Sequence, residues 1–217
     1  NPLIPPFVDP RLAQLPLVTS GSRVGDWTAG MNPKRDDRQW QLSGRIDYDL
    51  TDAITLTSLT SYADYRQADV VDPDATTLVL ADTVDTGRIK AFYQELRLSG
   101  EFGRGSRWIV GANYENNKVN EVQSLTSTNG SGFAPFAIFF SLPIPDAIPL
   151  SSTQKFKNYA AFANLDMAVT DTITLHGGLR YTDTTDKFTG CTGNSANGSL
   201  AVGLGILSQG NPNALGP

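Results

Sequence analysis

The chain has 217 residues, 40% of them hydrophobic and 18% charged, which excludes an obviously disordered polymer and leaves length for one or two domains. A formal net charge of −5 and a pI near 4.8, with no basic stripe along the sequence, exclude a nucleic-acid surface. No apolar run reaches the eighteen or so residues of a membrane helix, but a transmembrane strand needs only about ten residues, half of them apolar.

In chain order, residues 1–37 are Pro-rich, end in "NPKRDDR", and read as an external loop or its remnant. Period-two alternation then predicts about six strands, at 38–50, 54–66, 89–102, 106–116, 157–169 and 173–183. Short turns at "LTDAI", "FGRGS" and "VTDTI" join them in pairs, whereas the intervals 67–87, 117–156 and from about 184 onward are long and rich in Ser, Thr, Asn, Pro and Gly. Short turns at one end and long loops at the other make a specific asymmetry.

The predicted strands have one apolar and one polar parity; the second, "ITLTSLTSYADY", is ambiguous on its own and takes its parity from the repeat. Leu42, Ile46 and Tyr48 share a face with Ile54 and Leu56; Leu96 and Leu98 share it with Trp108 and Val110; Leu165 and Met167 share it with Ile173 and Leu175. The opposite parity carries Gln41, Arg45, Asp47 and Asp49, then Glu95, Arg97, Glu101, Asn113 and Glu115, then Asn164, Asp166, His176 and Arg180. Gln94, Ser58 and Thr60 break the pattern on the apolar side, and Ile109 and Phe162 break it on the polar side.

Trp40 and Tyr62, Phe92 and Tyr114, and Tyr159 and Tyr181 are each 22 positions apart, so three hairpins share one ruler. These rings mark the loop end of the apolar face, and Tyr48, Phe102 and Trp108 mark its turn end. Two aromatic girdles flanking an aliphatic band are what a bilayer selects. A soluble sandwich core, the competing arrangement, has no reason to sort its rings by depth.

The stretches "LTSLTSYADY", "YQELRLSGEF", "WIVGANYEN" and "NYAAFANLDMAVTDTITLHGGLRYTDTTDKF" resemble, in their order, the β-barrel of TonB-dependent outer-membrane receptors over about 38–187. The resemblance implies an all-β fold, an antiparallel transmembrane barrel in the bacterial outer membrane with short periplasmic turns and long external loops. It implies a receptor that binds a scarce nutrient, most commonly a siderophore–iron complex, and imports it with energy from TonB, working with ExbB and ExbD. Its partners would be outer-membrane lipid, a plug and further strands of the same receptor, and a small-molecule ligand, with no nucleic acid. No TonB box, plug or C-terminal strand ending in an aromatic residue is recognisable. The expectation is therefore an internal part of a larger receptor: 1–37 an external loop, 38–187 a partial barrel forming an open curved sheet, and 188–217 a truncated external loop. A passive pore or adhesin barrel is the first alternative, and a soluble binding β-sandwich the second.

Catalysis finds little support, since His176 is the sole histidine and no Ser–His–Asp or metal-ligand spacing surrounds it; no cofactor is expected. Its parity sets it beside Asn164 in a lumen hydrogen-bond network. Arg45, Asp47, Glu95, Arg97, Asp166, His176 and Arg180 are the candidate lumen-facing groups. The acidic run from Asp69 to Arg88 lacks the glycine and terminal glutamate of a twelve-residue calcium loop and reads as a solvated loop. "GFAPFAIFFSLPIPDAIPLSS" is more apolar than an external loop requires, and its prolines discourage regular structure. Phe136, Phe139 and Phe140 in it are the candidate ligand contacts, and packing on neighbouring loops or a plug is the alternative. Cys191, the one cysteine, is expected to be either an unpaired loop thiol or half of a loop disulfide whose partner lies beyond residue 217.

Overall fold

A computed structural model of the chain describes residues 14–15, 25–103, 105–129, 141 and 146–207. One antiparallel sheet dominates it, built from β1 (Lys34–Arg35), β2 (Arg38–Thr51), β3 (Ile54–Val71), β4 (Asp82–Phe102), β5 (Ser106–Thr126), β6 (Ile148–Ala168) and β7 (Thr174–Thr192). Each strand from β2 to β7 pairs with its sequence neighbours, and β1 prolongs the β2 edge along β3. Between β1 and β2, Asp36 and Ala68 exchange backbone bonds at 3.1 and 3.2 Å. The outer strands β2 and β7 are exposed along their whole length, which is the signature of an open sheet with two free edges. Among the described residues no second sheet packs on this one, so a β-sandwich is excluded.

The three predicted turns form as expected. Gly103 and Gly105 take φ of +56° and +82° between β4 and β5, a region where only glycine is unstrained. At the β6–β7 turn the amides of Thr172 and Ile173 donate to the Thr170 hydroxyl at 3.2 and 3.0 Å.

The strands run farther than alternation predicts. β4, β5 and β6 each have 21 residues, about twice the ten that a bilayer requires. Residues 67–71, 82–87, 117–126, 148–156 and 184–192 belong to the ladder, although the sequence places them in loops. The reason is that beyond the apolar band both faces of the ladder are polar, so hydrogen-bond pairing continues while the hydrophobic period that reports it fades. For the same reason Cys191 lies in β7 opposite Ser151 rather than in a loop, and its thiol is free and exposed. A second departure is α1 (Ser199–Leu207), in a segment read as loop. Ser195 and Asn197 cap it, their side-chain oxygens accepting from the amides of Leu200 and Ser199 at 3.1 and 3.2 Å. Gly203 and Gly205 hid it, because glycine is a poor helix former.

No large side chain among the described residues is fully buried, and Leu42, Ile46, Leu179 and Tyr181 are about 70% exposed or more (71%, 69%, 78% and 71%). A sheet in this state has no core of its own. Its apolar face needs a partner that is not water.

The register turns the aromatic ruler into a geometry. Tyr62 lies directly opposite Phe92, and Tyr114 opposite Tyr159. Within each hairpin the rings are instead displaced by two residues: Leu42, not Trp40, faces Tyr62; Gln94, not Phe92, faces Tyr114; Ala161, not Tyr159, faces Tyr181. The loop-end girdle thus slips six residues across five strand-to-strand steps. With about 3.3 Å per residue and about 4.8 Å between strands, a level girdle requires strands tilted by about 40°, within the range of closed barrels. Ring contacts are diagonal within hairpins, with centroids 5.2 Å apart for Trp40–Tyr62 and 6.2 Å for Phe92–Tyr114, and directly across between hairpins, 4.8 Å for Tyr114–Tyr159.

Candidate functional site

The polar parity assembles a connected network. In β4 the Tyr93 hydroxyl donates to Glu95 at 2.6 Å, and Arg97 lies 3.6 Å from the same carboxylate. Asn113 of β5 donates to the Tyr93 oxygen at 3.2 Å and accepts from Arg180 of β7 at 3.3 Å. The Arg180 guanidinium sits 5.8 Å from the centre of the Phe162 ring, close enough for cation–π attraction. Phe162, the apparent misfit on this face, fits because Gly111 opposite it has no side chain: a Cβ there would stand 2.6 Å from the ring tip. At the β2 side, Arg45 grips Asp47 through two bonds of 2.7 and 3.0 Å, and Thr57 donates to Asp47 at 2.7 Å.

His176 pairs with Asp166, Nδ1 to Oδ1, at 2.6 Å. The sequence reading set it beside Asn164, and the register corrects this by two residues: Asp166 is the direct cross-strand partner of His176, and Asn164 faces Gly178. All seven candidate polar groups, Arg45, Asp47, Glu95, Arg97, Asp166, His176 and Arg180, share one face. Each has a partner on it. Tyr93, Asn113 and Phe162, which join strands of different hairpins, were not among the candidates, because a link between hairpins depends on the register.

On the apolar parity the three polar residues satisfy one another. Thr60 donates to Gln94 Oε1 at 2.6 Å, and Gln94 Nε2 donates to Ser58 at 3.0 Å and to the Glu95 carbonyl at 3.2 Å. In hydrocarbon an unpaired polar group costs several kcal/mol, and this cluster avoids that cost. All nine girdle candidates lie on this parity: Trp40, Tyr48, Tyr62, Phe92, Phe102, Trp108, Tyr114, Tyr159 and Tyr181.

At the loop end, residues 25–31, 72–81 and 127–129 pack together. The Thr28 amide donates to Asp72 at 2.8 Å, and its hydroxyl lies 3.0 Å from Asp82 and 3.2 Å from the Leu78 carbonyl. Ser127 donates to the Leu80 carbonyl at 2.6 Å. Asp72, Asp74 and Asp82 converge here, but the first two are engaged by backbone amides of 74–76 and 81. Burial raises the Asp82 carboxyl above the usual range; the Thr28 bond opposes this, and the charges of Asp72 and Asp74 add to it. The acidic run is therefore partly ladder and partly a structured loop rather than wholly a solvated one. Phe136, Phe139 and Phe140 lie outside the described residues. Ile148 and Leu150, at the end of the same apolar stretch, belong to β6.

The arrangement is a sheet with one girdled apolar face, staggered by the register as in a wall of tilted strands, and one internally paired polar face. Residues 5–212 match the family model of the TonB-dependent receptor-like β-barrel, a family of bacterial outer-membrane transport receptors rather than enzymes. The chain belongs to the TonB-dependent receptor β-barrel family.

Proposed function

We propose that this chain is part of the barrel wall of an active-transport receptor that captures a siderophore–iron complex outside the cell and admits it with TonB-derived energy, TonB acting with ExbB and ExbD through a plug of the same receptor. The family match over residues 5–212 carries this reading. In it, residues 38–187 form the barrel portion, with 1–37 and 188–217 external. The apolar parity meets outer-membrane lipid, and the paired polar parity lines the lumen or contacts the plug. Charges neutralised by one another suit a hydrated wall past which a polar solute and a moving plug must slide without being held.

The test is uptake of radiolabelled ferric siderophores by cells whose only receptor of this type is the intact protein containing this chain. Uptake should require both the receptor and TonB. Uptake that persists without TonB would instead support a passive pore. Replacing Phe136, Phe139 and Phe140 together with Ser should weaken cargo binding while leaving the receptor in the membrane; unchanged affinity would assign that loop to packing.

A further inference from the structure

The register gathers the chain's cations in a way the linear sequence conceals. Lys90, Lys118, Lys155 and Lys187 are successive direct cross-strand partners, one on each strand from β4 to β7. Like charges set directly opposite one another destabilise a sheet. Among the described residues, none of the four has a carboxylate within salt-bridge distance. All four are exposed, as is Lys157 beside them, so the row holds four of the chain's six lysines and its neighbourhood a fifth.

On β3 the row meets Asp64, the partner of Lys90, and two residues farther from the girdle a second row, of arginines, crosses the first three long strands. Arg38, Arg66 and Arg88 are direct partners on β2, β3 and β4. Among the described residues, Asp64 and Asp36 answer them: Asp64 is held by Arg88, at 3.0 Å from its Nε, and by Arg66 at 3.5 Å, and Asp36 by Arg38 at 3.1 Å. These arginines line an open groove of about 510 Å³ together with Asp36, Thr86, Asn120 and Glu121.

Two facts fix what this surface faces. Every one of these cations lies on the parity of Trp40, Tyr62, Phe92, Tyr114, Tyr159 and Tyr181, two to six residues beyond the loop-end girdle. At about 3.3 Å per residue and the tilt derived above, that is about 5–15 Å above the rings, at headgroup level and just beyond it. At the same height the opposite parity carries Asp69, Asp85, Glu121 and Asp186 against one cation, Arg35, which faces Asp69 and donates to Asp37, whereas the outward parity sets eight cations against Asp36, Asp64 and Asp183. Strands bathed by water on both faces have no reason to sort charge this way. Flexible ammonium groups just above an aromatic girdle reach down to the level of lipid phosphates.

We propose that this outward cationic belt binds the phosphate-bearing headgroups of lipids in the leaflet on the loop side. The Lys90–Lys118–Lys155–Lys187 row bridges neighbouring phosphates, and the Arg38–Arg66–Arg88 groove seats one headgroup. Bound phosphate removes the mutual repulsion of the row, so the lipid completes the sheet electrostatically as hydrocarbon completes it below. This inference rests on the reading of the apolar parity as lipid-facing, which the Leu96 substitution in the Discussion tests by itself.

The experiment is lipid retention by the intact receptor, purified from equimolar phosphatidylglycerol and phosphatidylcholine and weighed with its bound lipids by native mass spectrometry. Wild type should retain phosphatidylglycerol in excess, and the excess should shrink at high salt. The variant K90Q/K118Q/K155Q should lower that excess about fivefold or more, whereas Lys34→Gln, at the sheet edge away from the row, should not change it. Equal retention of the two lipids by wild type would overturn the proposal even if the triple variant failed to fold. So would an undiminished excess in a folded triple variant. Because the readout is bound lipid rather than uptake, a receptor of different cargo leaves this result unaffected.

Discussion

Leu96→Arg tests the assignment of faces at its most sensitive point. Phe92 and Phe102 mark the two girdles on β4, and ten residues at about 3.3 Å each, tilted by about 40°, separate them by about 25 Å along the membrane normal. Leu96 lies about 10 Å below the loop-end ring, within about 3 Å of mid-bilayer. It is 51% exposed on the sheet face, with Ser58 and Ala112 as cross-strand neighbours, so an arginine there has no acid to pair with. The expected cost is about 2–4 kcal/mol, roughly a thirtyfold to several-hundredfold shift in the folding equilibrium. Arg97→Leu, one residue on, removes the 3.6 Å contact to Glu95, which keeps its bond from Tyr93; it should cost no more than about 1 kcal/mol. Reversible urea unfolding of the intact receptor in lipid vesicles measures both, as a midpoint shift at constant slope. Equal penalties at 96 and 97, or a neutral arginine at 96, would refute the reasoning.

Gly111→Ala should destabilise the receptor by about 1–3 kcal/mol in the same assay, because its Cβ would meet the Phe162 ring, and Phe162→Leu should recover part of that loss; additive penalties would contradict the contact. Gln94→Ala should cost about 1–3 kcal/mol by stripping partners from Ser58 and Thr60, whereas S58A/T60V/Q94L, which removes the whole polar cluster, should cost less than the single change. Asp82 lies at the loop end, outside the membrane span, and its folded carboxyl is raised, so its contribution favours the packed loop below the usual carboxylate range. That contribution is lost as pH rises through the raised value. Amide exchange in 25–31 and 72–81, corrected for intrinsic rate, should therefore show greater protection at low pH, and Asp82→Asn should remove the difference; an unchanged profile would reject the assignment.

Alternation alone determined the all-β class, the three hairpins, their turns, the two faces and the aromatic rings, because a strand writes its orientation into every second residue. It also marked Gln94, Ser58, Thr60 and Phe162 as misfits. Their resolution needed neighbours that lie 34 to 51 positions away in sequence: Gln94 answers Ser58 and Thr60 across β3 and β4, and Gly111 makes room for Phe162 across β5 and β6. The same limit explains the two-residue error at His176. A hairpin's centre read from sequence is uncertain by one residue, and each residue of error moves the partner by two. The strand extensions above the girdle were illegible because both of their faces are polar. The cationic belt was illegible for a deeper reason. Its lysines are scattered singly through a chain of net charge −5, and only the stagger of a tilted sheet brings Lys90, Lys118, Lys155 and Lys187 into one row. A period of two fixes which face a charge is on, but its neighbours on that face are set by hydrogen-bond register, and register is a property of pairs of strands.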